Sequence, residues 1–311
     1  MSNKPLFGQT RRTIALLLLL FLAVTGCAQQ RPSARITLSD LQPLDRDYRE
    51  ETLPLQVAIA TGLSPTESIA GYQSITDYLS RRLGRPVKLN LRKTYQEVDD
   101  LIREGKVDIA FVCSSSYVIG RDTFGERLVA VPVANGSTTY QSAIIVNART
   151  GINSWPQLKG RSLAIVDPQS TSGFLYALSK AVPYGGLSFF GSYIYTYSHN
   201  YSIEAVRNQV VDAAAVDSNV LARSIAKDPD LANAVKILDL SPNYGNNPVV
   251  AGQRLDDKTF LAIRQILLGM DKDPEGRQAL QKARLDRFVL LPDNIYNSVR
   301  ELMAEVRRDS R

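Results

Sequence analysis

Reactive and metal-ligating side chains are scarce in this chain: two cysteines and one histidine among 311 residues. Cys27 directly follows an apolar run near the N-terminus, which leaves Cys113 as the one thiol expected in the folded part. A single thiol makes no intrachain disulfide and no multi-cysteine metal site. Cys113 ends an apolar, strand-like run, so a buried and inert cysteine is the expectation. His199 alone supplies no transition-metal ligand set. Walker-type and dinucleotide-type glycine motifs are absent, so nucleotide chemistry has no support. No basic cluster interleaved with aromatics points to nucleic acid. No nucleophile–base pair is visible, which argues against hydrolysis.

What is present begins with a compartment signal. Lys4, Arg11 and Arg12 precede an apolar run from Ile14 to Val24. That run is shorter than the ~20 residues that span a bilayer. A basic start, a short apolar core and small residues after it make a secretory signal. Leu22-Ala23-Val24-Thr25-Gly26-Cys27 resembles a bacterial lipoprotein signal, which implies cleavage after residue 26 and lipidation of Cys27. The protein is then expected outside the cytoplasm, held to a membrane by its N-terminal lipid. The signal carries three of the 37 basic residues, set against 31 acidic ones, so the mature balance is only mildly positive. Residues 27–53 are polar and charged with scattered prolines, and read as a tether. Residues 54–311 suffice for one large or two medium domains.

The globular part opens with an apolar strand, Leu55–Ala60. Ile69, Tyr72, Ile75, Leu79 and Leu83 then recur at helical spacing. Gly84-Arg85-Pro86 ends that helix, and Val87–Leu91 reads as a strand. Thr94-Tyr95-Gln96-Glu97 is a capping-box pattern, and its helix buries Val98, Leu101 and Ile102. Val107–Val112 is the next strand, followed by Ser114-Ser115-Ser116-Tyr117. The alternation predicts an α/β protein with a parallel sheet. The unit recurs about 104 residues later: Val107-Asp108-Ile109-Ala110 is echoed by Val211-Asp212-Ala213-Ala214. Each follows an amphipathic helix and ends in polar residues before another. If two similar domains exist, ligands belong at the carboxyl ends of their strands. Ser114–Tyr117, Ser170–Gly173 and Asp217 fall there.

The turn Asp167-Pro168-Gln169-Ser170-Thr171-Ser172-Gly173 lies between a buried strand, Leu163–Val166, and a helix over Phe174–Val182. It offers hydroxyls and the unpaired N–H groups of a helix start, with the positive end of the helix dipole behind them. Such a turn holds an oxyanion without Lys or Arg. It also reads as an ordinary Ser/Thr cap.

Together these pieces resemble the periplasmic substrate-binding proteins of phosphonate, phosphite and phosphate ABC transporters. They include Leu79-Ser80 through Gly84-Arg85-Pro86-Val87, and Gly105 to Ala110. Further on come Leu158-Lys159-Gly160, the 167–173 turn and Val211 to Ala214. The match runs from about Leu55 to about Leu302. It implies an α/β, two-lobed type II periplasmic-binding fold. Each lobe is a mixed sheet flanked by helices, with the ligand in the cleft between them. Lobe 1 would hold residues 54–140 and 248–311, and lobe 2 residues 141–247. The crossings are expected near Thr138–Ile145 and Leu240–Val249.

The resemblance also carries site residues. Ser170, Thr171 and Ser172 would hold the phosphorus oxygens, joined by Tyr95, Tyr140 and His199. Asn247 stands before Pro248 where the family often has an acid, which weakens the case for an ammonium-bearing ligand. Asp217 is no family match. As a cleft acid it would accept a hydrogen bond from a protonated phosphorus oxyanion and repel sulfate; as a helix cap it would do neither. Ser116 is a binding candidate or a cap. A neutral His199 donates once and accepts once, whereas imidazolium donates twice. Tyr193, Tyr195 and Tyr197 suggest a strand with one tyrosine face packed on the core. Trp155 reads as loop packing. The function implied is a lipid-anchored solute-binding protein, non-enzymatic and free of metal and cofactor. It would deliver a small phosphorus oxyanion to an ABC permease and ATPase. A sensor of the same fold, signalling to a membrane kinase or receptor, is the alternative.

Overall fold

Thirteen strands are seen in the computed structural model, which describes residues 53–60, 62 and 65–309. In chain order they are β1 (Leu55–Ala60), β2 (Val87–Arg92), β3 (Ile109–Phe111), β4 (Arg127–Val133), β5 (Thr139–Tyr140), β6 (Ser142–Asn147), β7 (Ser162–Ile165), β8 (Ser192–Tyr195), β9 (Ala213–Asp217), β10 (Val235–Leu240), β11 (Tyr244–Gly245), β12 (Val249–Ala251) and β13 (Arg287–Val289). The secretory signal, Cys27 and all of the tether except Leu53 lie outside the described residues.

Two mixed sheets organise the chain. The first runs β13-β4-β12-β3-β1-β2, and the second β10-β6-β9-β7-β8. Each has a parallel part, β2-β1-β3 in one and β8-β7-β9 in the other. Each also carries antiparallel strands, so both sheets are mixed, as the resemblance implies, where strand–helix alternation alone points to a parallel one. The cause is topological. β12 returns from the second sheet and enters the first against the direction of β3 and β4. The chain passes between sheets from β4 to β6 and back from β10 to β12. Within those passages β5 and β11 pair as a two-stranded ribbon, Tyr140 opposite Tyr244.

The sequence repeat has a structural counterpart. Asp108 accepts a hydrogen bond from the Gln56 N–H at 2.6 Å, and Asp212 accepts one from the Ser162 N–H at 2.9 Å. Each carboxylate, at the entrance of the third parallel strand, satisfies an N–H of its parallel neighbour. The central strands of both sheets are buried on both faces, as runs such as Val57–Ile59 and Ile144–Val146 require.

Helices follow their sequence signals closely. The first spans Pro65–Leu83. The capping box forms: Thr94 Oγ1 accepts from the Glu97 N–H, and Glu97 accepts from the Thr94 N–H. The helix Tyr95–Arg103 follows and buries Tyr95, Val98 and Ile102. Trp155 stacks on Phe189 at 6.2 Å and meets Phe190 edge-on, so it does pack within its loop. The tyrosine face forms, with the Tyr193, Tyr195 and Tyr197 rings about 6 Å apart in succession, but its packing on the core is corrected. β8 is an edge strand that leaves Tyr193 exposed, and Tyr197 lies beyond it with φ 54°.

Candidate functional site

The strand ends that the sequence singled out meet in space. β3 runs into Val112-Cys113 and then the helix Ser114–Phe124. β7 runs into the 167–173 turn, and β9 into the helix Ser218–Lys227. Between the two sheets lies a cavity of 510 Å³. Its wall includes Tyr95, Cys113, Tyr140, His199, Asp217 and Asn247. Tyr95, Tyr140, His199 and Asp217 are buried.

His199 begins the helix His199–Arg207. Its Nδ1 accepts the Asp217 backbone N–H at 3.0 Å. An accepting Nδ1 is unprotonated, so the ring proton sits on Nε2. Burial pushes the imidazole pKa down to about 4; the Asp217 charge opposes that shift and the Arg223 charge adds to it. The ring is therefore neutral at ordinary pH and acts as a donor through Nε2. The choice between imidazole and imidazolium, open in the sequence, closes on the neutral form.

Asp217 caps the helix that follows it. Its Oδ1 accepts from the Asn219 N–H at 2.7 Å and from the Val220 N–H at 3.2 Å. The capping role is therefore real, and the same side chain also lines the cavity.

Burial raises the phenols of Tyr95 and Tyr140 well above their ordinary pKa, and neighbouring acidic groups add to the rise. Both stay protonated and keep a donor O–H. Tyr95 is admitted by a glycine. A Cβ at Gly62 would come within 2.6 Å of the Tyr95 hydroxyl. Gly62 also accepts, through its carbonyl, the His199 N–H at 3.0 Å. The Tyr140 hydroxyl lies 3.3 Å from Ser114 Oγ. Asn247 Oδ1 accepts from both the N–H and the hydroxyl of Ser114 at 3.1 Å. Asn247 thus caps the Ser114–Phe124 helix as well as facing the cavity.

The 167–173 turn is exposed at Pro168 and half-buried at Gln169, whereas Ser170, Thr171 and Ser172 are buried. These three residues do not line the cavity; they stand behind Cys113 and Tyr140. Thr171 Oγ1 accepts the Ser115 N–H at 3.0 Å, and the Thr171 N–H reaches Cys113 Sγ at 3.4 Å. The Ser115 hydroxyl donates to the Gln169 carbonyl. Ser170 Oγ accepts the Gly173 N–H at 2.9 Å, and the Ser172 carbonyl accepts from Ser142. The turn therefore also fastens one strand-end helix to the other. Ser116 is buried, 3.4 Å from Gln169 Oε1, and does not line the cavity.

The helix expected over Phe174–Val182 is corrected at its start. Thr171–Leu175 is a π-helical turn, and the α-helix proper spans Tyr176–Ala181. The Ser170 carbonyl accepts from both Phe174 and Leu175. The wide turn brings Gly173 against Val166, where a Cβ would lie 2.5 Å from Val166 Cγ2. π-turns of this kind cluster at functional sites.

Sequence reasoning missed Cys113 as a wall residue, along with Tyr72 and Arg223. Cys113 was legible as buried, but its position opposite Thr171 is a long-range contact that spacing does not reveal. Among the described residues no group of three or more His, Cys, Asp or Glu side chains is placed to hold a metal.

Comparison with known proteins places the chain in a family. Residues 57–296 match the family described as "ABC transporter, phosphonate, periplasmic substrate-binding protein". A phosphonates-binding periplasmic protein of Escherichia coli is 26% identical over 211 residues, 66% of this chain. A phosphate-import protein of Mycolicibacterium smegmatis is 26% identical over 194 residues, 58% of this chain. The chain spans 62% and 60% of the lengths of these two relatives. A binding-protein component of a Pseudomonas aeruginosa phosphonate transporter superposes with a TM-score of 0.75 at 23% identity, over 83% of this chain and 88% of that one. A Prochlorococcus marinus protein solved with methylphosphonate gives 0.73 at 20% identity, over 81% and 98%. The fold is the two-lobed type II periplasmic-binding fold.

Proposed function

Because the chain belongs to the phosphonate family of periplasmic substrate-binding proteins of ABC transporters, we propose that it captures a small phosphorus oxyanion and hands it to a membrane permease driven by an ATPase. Phosphonate, phosphite and phosphate are the candidate ligands. The observation that carries this reading is the His199–Asp217 bond, which leaves the imidazole a neutral donor in a cavity it shares with two protonated phenols. Neutral donors suit an anion drawn out of water. They stabilise it through hydrogen bonds whose strength rises as solvent is excluded. The Ser170–Ser172 turn adds hydroxyls and main-chain N–H groups once its bonds to Cys113 and Ser115 exchange for bonds to the ligand. Asp217 accepts from a ligand that retains a proton, and opposes one that cannot.

The protein acts by binding rather than by turnover, in an extracytoplasmic compartment, anchored through a lipid on Cys27. The lobes, residues 54–140 with 248–311 and residues 141–247, close over the ligand about the β5–β11 ribbon. Calorimetric titration with methylphosphonate, phosphite, phosphate and sulfate tests the reading. At least one phosphorus ligand binds and sulfate does not. Failure of all three phosphorus ligands overturns it.

A further inference from the structure

Before closure the cavity has room for more than a bare tetrahedral anion. Methylphosphonate has five non-hydrogen atoms, whereas 510 Å³ lies in the range of about 300–1,000 Å³ that takes a drug-sized ligand. The two ends of the cavity also differ in character. The inner end is the buried group of neutral donors around His199. The outer end is lined by Arg223 and Lys227 from the helix Ser218–Lys227, and by Lys282 and Arg284 at the end of the helix Pro274–Ala283. These cations approach from both sides of the cleft, because the second of those helices packs on the first sheet's side.

Two of the acids on the same wall pair elsewhere. Asp228 lies 2.6 Å and Glu204 3.6 Å from Arg207, so both are engaged by a cation outside the wall. Asp217 lies with His199 at the buried end of the wall, where its Oδ1 caps the following helix. Arg223, Lys282 and Arg284 have no ion pair among the described residues. Arg284 holds a costly conformation as well. It stands at the left-handed C-terminal position of its helix, with φ 57°, where glycine is the ordinary residue. The cation there also meets the negative end of its helix dipole. Between the two ends the wall is partly apolar, with Tyr72, Ala283, Leu285, Val220 and Leu231.

We infer that the ligand is a phosphorus oxyanion bearing a second anionic group, carboxylate or phosphoryl, on a short apolar spacer. The inner donors take the first group, the spacer crosses the apolar wall, and the second group is held between Arg223 and the Lys282–Arg284 pair. Without that second charge, cations from opposite sides face one another and resist closure. With it, they draw the two sides together. The absence of an acid at Asn247 fits the same preference, since an ammonium-bearing ligand finds no carboxylate there. This inference rests on the oxyanion reading of the inner site.

The test is calorimetric titration of the purified protein with four probes: methylphosphonate, 3-phosphonopropionate, propane-1,3-diphosphonate and 3-aminopropylphosphonate. One of the two dianionic probes binds at least tenfold more tightly than methylphosphonate, and the amino compound binds no more tightly than methylphosphonate. Arg284→Gly, whose backbone suits the left-handed turn, reduces the advantage to less than threefold. Lys282→Gln reduces it independently of any effect on that turn. Methylphosphonate binding with no gain from a second anion overturns this inference and leaves the oxyanion site standing. A gain that survives both substitutions overturns the assignment to these cations. Binding of none of the four probes overturns this inference, and the oxyanion reading falls with it only if phosphite and phosphate also fail to bind.

Discussion

The backbone N–H of Asp217 donates to Nδ1 of His199 across 3.0 Å, so the main chain at the end of β9 fixes which nitrogen of the imidazole carries the proton. One peptide group thus decides the chemistry that the site presents. The same residue turns its carboxylate to the next helix as a cap. Ring orientation, tautomer and helix start are tied together at one point of the cleft.

His199→Asn keeps an acceptor near the Nδ1 position and removes the Nε2 donor. It should weaken binding of the preferred phosphorus ligand by about 1.5–3 kcal/mol, the value of a hydrogen bond to a charged group. Calorimetry reads the loss directly. The substitution also changes the response to acid. The folded pKa of His199 is lowered from 6.5 to about 4 by burial. Above pH 6.5 the ring is neutral in both states and costs nothing. As pH falls from 6.5 toward 4 the unfolded chain takes up a proton that the folded chain refuses, and stability declines by about 3 kcal/mol. The Asn variant should lack this component, as urea unfolding at pH 7 and pH 4.5 will show.

Glu126 should behave in the opposite sense. Its side chain is buried against Gly120 without a hydrogen-bond partner among the described residues. Burial first, and the Asp99 charge second, push its pKa from 4.5 to about 9. A raised carboxyl keeps its proton in the folded state, so stability is full below pH 4.5 and declines as pH rises toward 9. Glu126→Gln should therefore stabilise the protein at pH 8 by about 2 kcal/mol or more, with no gain at pH 4.5. Thermal unfolding at the two pH values measures the difference. Asp99 shares the sign, since burial raises it to about 7. Ser116 and Gln169 lie close enough to temper that rise, although neither gives it a well-aligned hydrogen bond.

Ser170→Ala combined with Thr171→Ala should weaken ligand binding by about 2–4 kcal/mol, through two lost hydrogen bonds to a charged guest. Thr171 also accepts the Ser115 N–H across the cleft, so closure is impaired in the same variant. Undiminished affinity would remove the turn from the binding account.

Asn247→Asp preserves the oxygen that accepts from the Ser114 N–H and hydroxyl, so the fold should tolerate it. The added charge should raise affinity for an aminoalkyl phosphonate relative to methylphosphonate by roughly tenfold, about 1.4 kcal/mol. An unchanged ratio would show that position 247 does not set preference for ammonium.

Local signals in the sequence translated well. The Thr94–Glu97 box depends only on residues three apart, and it formed. The paired Val-Asp motifs were legible because each aspartate solves the same problem, an N–H of the neighbouring parallel strand. The tyrosine repeat around residue 195 was read as core packing because spacing alone does not reveal that β8 is an edge strand. The π-turn at Thr171–Leu175 was hidden for a related reason, since it answers to the packing of Gly173 on Val166. The wall positions of Cys113, Arg223 and Arg284 depend on contacts between segments distant in sequence, and no periodicity carries them. His199 was named by its resemblance, but its tautomer needed the Asp217 peptide in place.

A chain with one histidine gives one imidazole signal, so long-range ¹H–¹⁵N correlation of the uniformly labelled protein reports on this group without assignment. At pH 6 the spectrum should show neutral imidazole protonated on Nε2, and the Nε2 proton should move downfield as the preferred phosphorus ligand saturates the site. An Nδ1-protonated ring, or an Nε2 proton unmoved at saturation, would contradict the claim that a neutral histidine donor grips the oxyanion.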